Sequence, residues 1–210
     1  AFNRLGGDTI ALIAGSILAF SIFAVPMFIR KESVVPAGMI ATIGIVATPL
    51  MVYGIQKHLG YWAFENGRGG PSTYSSYHTL IDDRWLVMEL ATLAVASLML
   101  LLCRFPFMLM PVAVTLWYLC MDLSMRFVNA GGSLGYNNYW EVYKVASIYF
   151  GLAVMAVGFA IDWLSRNRAA DFTFWLHFSG ILTFWVALTS MDSGNELSRF
   201  FYGMLNVAFV

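Results

Sequence analysis

Long, continuous apolar stretches broken by short polar ones run through this chain. Residues 9–29, 37–55, 85–103, 105–121, 145–161 and 172–191 are almost free of charge, and an apolar run at 200–210 follows them. About 20 apolar residues at 1.5 Å rise cross a hydrocarbon core of about 30 Å. The pattern therefore predicts six membrane-spanning helices. The runs at 105–121 and 145–161 are shorter than the others, and Trp163 and Leu164 extend the second. Residues 200–210 would rise only about 16 Å as a helix, roughly half a membrane, and read as the start of a seventh span.

The chain begins at Ala1 rather than at Met, so it reads as part of a longer protein. The first run is too long for the core of a signal peptide and lacks a small-residue cleavage site behind it, which makes it an anchoring helix. Transmembrane strands alternate in short segments, whereas these runs are apolar without interruption, so a barrel is excluded. The expected fold is all-α: a polytopic transmembrane helical bundle, with residues 1–210 forming one membrane domain.

Small residues recur at helical spacing within the runs. Ala11, Gly15 and Ala19 form one set, and Gly151, Gly158 and the Ala156/Ala160 pair form another. Such stripes let helix backbones approach closely, and they predict helix contacts rather than chemistry. Pro26, Pro49, Pro106 and Pro111 lie inside or at the start of spans, where each kinks a helix or opens a carbonyl.

Composition agrees with the pattern. Hydrophobic residues are 60% and charged residues 11%, against about 25% charged in a soluble domain. Mean hydropathy is +0.71. The 12 basic and 12 acidic side chains cancel, so no charge field argues for nucleic acid. The expected partners are the lipid bilayer and other membrane subunits.

Basic residues set the orientation. Arg30 and Lys31, then Arg104, then Arg166 and Arg168 fall in tight turns on one side of the six spans. Arg4, Lys57, Arg68, Arg84, Arg126, Lys144 and Arg199 fall on the other, spread out and offset by acids. The raw count favours the second side, and charge density beside helix ends favours the first. Weighing density assigns the Arg30, Arg104 and Arg166 turns to the cytoplasm.

Loop length is just as uneven, because residues 56–84 and 122–144 make two substantial loops on the face opposite those turns. In the first, residues 66–72 form a glycine-rich turn, and no strand precedes it to make a phosphate-binding loop. In the second, residues 131–135 lead into an aromatic stretch at 136–140 that suits an interfacial belt.

Candidate chemistry gathers on that looped face. Glu89, Asp122, Asp192, Glu196, His78, Asp82 and Asp83 form the candidate polar cluster, with His58 and Glu141 nearby. Oxygen and imidazole groups of this kind can bind a cation or relay protons. Ordinary ion pairing competes with that reading, because Asp122 and Arg126, like Asp162 and Arg166 on the opposite side, are four apart on one helical face. Glu89 stands out because it lies inside the third run, and an ionisable residue at membrane depth points to function. It enters only about 6 Å beyond Trp85, within snorkelling distance of the headgroups.

His177 lies about 8 Å inside the sixth run. A bis-histidine haem needs a facing histidine at similar depth, and His58 and His78 sit near the other face. A hydrogen bond to a neighbouring helix, or a place near the interface, suits His177 better. Cys103 and Cys120 stand at opposite ends of the membrane, about 25 Å apart, so no disulfide joins them. HExxH and CxxC patterns are absent. No catalytic residue and no cofactor is expected, and the metal question stays open.

The stretch Trp85-Leu86-Val87-Met88-Glu89-Leu90-Ala91-Thr92-Leu93, the stretch Pro111-Val112-Ala113-Val114-Thr115-Leu116-Trp117-Tyr118 with Met121-Asp122, and Met191-Asp192-Ser193 resemble segments of uncharacterised bacterial polytopic membrane proteins. The group they are similar to is labelled domain of unknown function 2157. The resemblance covers the region from the third span onward and implies a multi-span helical inner-membrane protein that often continues with further helices. It carries no activity.

Two functional readings follow. The first is a non-enzymatic membrane component or subunit of a larger complex, favoured by spans mostly free of charge. The second is a small ion-coupled transporter or permease using Glu89, Asp122 and Asp192, with Pro49 and Pro111 opening their helices. Against the second, no inverted repeat is evident and charges near the midplane are missing, where transporter sites usually lie. A haem-bearing redox subunit comes third.

Overall fold

The computed structural model describes residues 6–61, 83–130, 139–165, 170–190 and 204. Among the described residues it contains six long helices. They are α1 (Gly7–Arg30), α2 (Val34–His58), α3 (Asp83–Leu102), α4 (Leu109–Ala130), α5 (Tyr139–Ser165) and α6 (Ala170–Thr189), with a short 3-10 turn at Pro106–Met108 before α4. All six are long and apolar enough to cross a membrane. The protein is an all-α, multi-pass membrane protein. The run at 200–210 lies outside the described residues except for helical Met204.

Most helices outrun the apolar stretches that announce them. α4 continues through Asp122 and Arg126 to Ala130, and α5 spans Tyr139–Ser165. Hydropathy marks only the part of a helix in hydrocarbon, while backbone hydrogen bonding carries it on into the headgroups. Pro26 and Pro49 lie within α1 and α2, which continue through them. Pro106 opens the 3-10 turn and Pro111 sits in the first turn of α4, where the missing N–H has no helical acceptor.

The chain divides into two compact units, Ala1–Leu119 and Cys120–Val210, with the division inside α4. In the first, α1 and α2 form a tight antiparallel hairpin, and α3 packs on α2. Its core holds Leu18, Val25, Ala37, Ala41, Ile45, Ala96, Met99, Cys103 and Met108. Lipid is as apolar as leucine, so close contact rather than the hydrophobic effect holds such helices together. Backbones meet where side chains are missing. A Cβ on Gly54 would lie 2.5 Å from the Ala11 nitrogen, and one on Gly38 would overlap the Phe105 ring.

The face α1 uses is Ile10, Ala14, Leu18, Ser21 and Val25, together with Gly7 and Ala11. Gly15 of the expected stripe meets Met51, whereas Ala19 is exposed. In the second unit α5 and α6 form the other tight hairpin. Gly151 and Gly158 lie on the seam, and Ala156 and Ala160 point away from it. At 100° per residue, positions 151, 155, 158 and 162 share one side of the helix.

Candidate functional site

Glu89, Thr92, Ala96 and Met99 of α3, with Cys103 just beyond its end, form one buried stripe at spacings of three and four, and buried Met88 lies beside it. Ala96, Met99 and Cys103 join the core that includes Ala37, Ala41 and Ile45 of α2. At the other end of the same seam, the Gln56 side-chain amide donates to the Arg84 carbonyl at 3.1 Å. Glu89 therefore lies on the stripe of α3 that faces α2, five residues or about 7.5 Å along from Arg84. Snorkelling would leave the carboxylate in water, yet the residue is only 8% exposed and its Oε2 is enclosed. Beside it, Thr92 donates its hydroxyl to the Met88 carbonyl of its own helix at 2.7 Å.

Of the other sequence candidates, Asp122 lies half-buried on α4, one turn before half-buried Arg126, and belongs to the second unit. Asp83 begins α3. His78, Asp82, Asp192 and Glu196 lie outside the described residues, as do Arg166 and Arg168.

A polar constellation that the sequence reading did not assemble closes the turn end of the α5–α6 hairpin. Asp162 stands in the last turn of α5, and Thr173 and His177 stand one turn apart near the start of α6. The Thr173 hydroxyl donates to Asp162 Oδ1 at 2.9 Å, and His177 Nε2 lies 3.7 Å from Asp162 Oδ2. The second distance is too long for a hydrogen bond. Gly158 makes room for the imidazole, since a Cβ there would come within 2.9 Å of its Cε1, and the Phe159 ring meets it edge to face. The sequence suggests a hydrogen bond from His177 to a neighbouring helix or a place near the interface; the structure sets it beside Asp162 of the neighbouring helix at ion-pair rather than hydrogen-bond distance. The four-residue spacing of Thr173 and His177 opposite an acid across a short turn is the signal that locates this cluster.

In the first unit, His58 Nδ1 pairs with Asp8 Oδ1 in an exposed contact at the hairpin's open end. Asp8 occupies the first turn of α1, where the helix N-terminus favours an acid, and His58 the last turn of α2. Cys103 and Cys120 are free thiols. Among the described residues, no three His, Cys, Asp or Glu side chains converge as a metal-binding group.

No known protein family, curated protein or solved structure matches this chain.

Proposed function

We propose that this chain is a non-enzymatic component of a larger assembly in a bacterial inner membrane, with its turns at Arg30, Arg104 and Arg166 in the cytoplasm. The observation that carries this reading is where the hydroxyls of the spans are spent. Ser16, Ser21, Thr42, Thr48, Thr92, Thr115, Ser124 and Thr183 each donate to the carbonyl four residues earlier in their own helix. A hydroxyl bonded to its own helix presents no free donor to a polar path. The helices instead present Leu12, Phe23, Leu101 and Phe159 outward, as a body among lipids and neighbouring subunits does. The resemblance to the domain of unknown function 2157 group belongs to this reading and adds no activity to it.

Native mass measurement after extraction in mild detergent at natural expression level tests the proposal. A defined complex with a fixed ratio of other subunits is the expected result. A colourless monomer with no stoichiometric partner overturns it.

A second reading rests on Glu89. A carboxylate enclosed on a helix seam within a span is the kind of group an ion-coupled permease uses. Under this reading Glu89→Gln abolishes proton-driven uptake in vesicles. Unchanged flux across candidate solutes removes it.

A further inference from the structure

We propose that the α2–α3 seam holds a site for a monovalent cation of the sodium type, lined by the Glu89 carboxylate, the Thr48 and Thr92 hydroxyl oxygens and the Ile45 carbonyl. The register of the seam carries the argument. Gln56 of α2 meets Arg84 of α3 at one end, and Ala37 and Ala41 share a core with Met99 and Cys103 at the other, so the two helices run antiparallel. Eight residues back from Gln56 is Thr48, and eight on from Arg84 is Thr92. The two threonines are therefore level, about 12 Å along the span from the Gln56–Arg84 bond. At 100° per residue Thr48 falls on the arc of α2 that carries Ala37, Ala41, Ile45 and Gln56, while Thr92 and Glu89 share the α3 stripe that faces it. Thr48 is 0% and Thr92 4% exposed.

All four groups are acceptors. The hydroxyl protons of Thr48 and Thr92 go to the Gly44 and Met88 carbonyls at 2.9 and 2.7 Å, which leaves their oxygens only lone pairs to offer across the seam. Pro49 lies inside α2 and has no N–H, so the carbonyl of fully buried Ile45 lacks its helical donor. A helical carbonyl points toward the C-terminus, which carries this oxygen from Ile45 toward the level of Thr48. Carboxylate, carbonyl and hydroxyl oxygens are the ligands that hard cations take, and backbone carbonyls released from helical bonding coordinate Na⁺ in transporters. The single carboxylate selects the charge of the ion. One positive charge neutralises Glu89, whereas a divalent ion would keep a net charge among buried apolar side chains at high cost. The site deepens the permease reading of Glu89 and rests on it, as the ion that the carboxylate couples.

Binding of radioactive Na⁺ to the detergent-solubilised full chain, in choline chloride at constant ionic strength, tests the site. One Na⁺ per chain is expected, and Glu89→Gln should abolish it. Thr48→Val and Thr92→Val keep the shape of each side chain and should each weaken binding about tenfold, the loss expected for one oxygen on a charged group. Pro49→Ala restores the donor to the Ile45 carbonyl and should weaken binding as well. Thr42→Val removes a hydroxyl bonded in the same way to the Gly38 carbonyl, on another side of α2, and should leave binding unchanged. Lack of stoichiometric Na⁺ binding overturns the proposal, as does binding that survives undiminished in both Thr48→Val and Thr92→Val. Proton-driven uptake that is lost in Glu89→Gln while no Na⁺ binds overturns the site and leaves the permease reading in place. Na⁺ held through Glu89 by a chain without solute flux supports the site and removes that reading.

Discussion

Glu32 and Gly60 occupy the same place in the same motif. α1 ends with the Ser33 N–H donating to the Phe28 carbonyl and the Glu32 N–H to that of Ile29, and α2 ends with Tyr61 and Gly60 donating to Gln56 and Lys57 in the same way. Both closures need a left-handed residue, which is Glu32 at φ 60° in one and Gly60 at φ 78° in the other. A side chain in that conformation costs about 1–2 kcal/mol, so Glu32→Gly should raise stability by about 1 kcal/mol in reversible denaturation, after glycine's added entropy in the unfolded chain is offset. The close approaches predict the opposite sign. Gly180 and Gly151 each lie so near the other's carbonyl oxygen that an added Cβ would stand 2.8–2.9 Å from it. Gly180→Val should cost about 1–3 kcal/mol by overpacking, and an unchanged unfolding midpoint would count against the seam.

The α5–α6 hairpin shows what pairing adds to single helices. Each helix is legible from its own apolar run, but the side of α5 that matters follows from its partner. Gly151 and Gly158 were legible as small residues, whereas the exposure of Ala156 and Ala160 emerged only once α6 lay along the opposite side. The Asp162–Thr173 hydrogen bond joins the two helices near their turn. A double-mutant cycle of Asp162→Asn, which retains an acceptor, and Asp162→Ala, which does not, against Thr173→Val should return a coupling of about 0.6 kcal/mol for the Ala cycle, the usual size of an interhelical hydrogen bond in a membrane protein. The Asn cycle should be smaller, because Asp162→Asn leaves Thr173 a neutral acceptor and the cycle reports only the charged acceptor's excess. Equal zero coupling in both cycles would show that the contact contributes nothing to pairing.

Six crossings fix a topology that can be read chemically. Lys31 and Arg104 are exposed in the short turns after α1 and α3, and Leu59 follows α2, so if each helix crosses once the first two lie on one side and Leu59 on the other. With Cys103 and Cys120 replaced by alanine, Lys31→Cys and Arg104→Cys should react with a membrane-impermeant maleimide from the same side of sealed vesicles, and Leu59→Cys from the opposite one. Reaction of the first two from different sides would break the six-span arrangement. That arrangement was legible in the residue order, because crossing a bilayer requires only enough contiguous apolar residues and a backbone that bonds to itself. Both are properties of a segment, independent of its neighbours. The placement of Glu89 on the seam with α2, the turning of Asp162 toward Thr173 and His177, and the exposure of Ala19 depend instead on which side of each helix meets another. Helices that are apolar all round carry little record of that choice, and packing between them makes it.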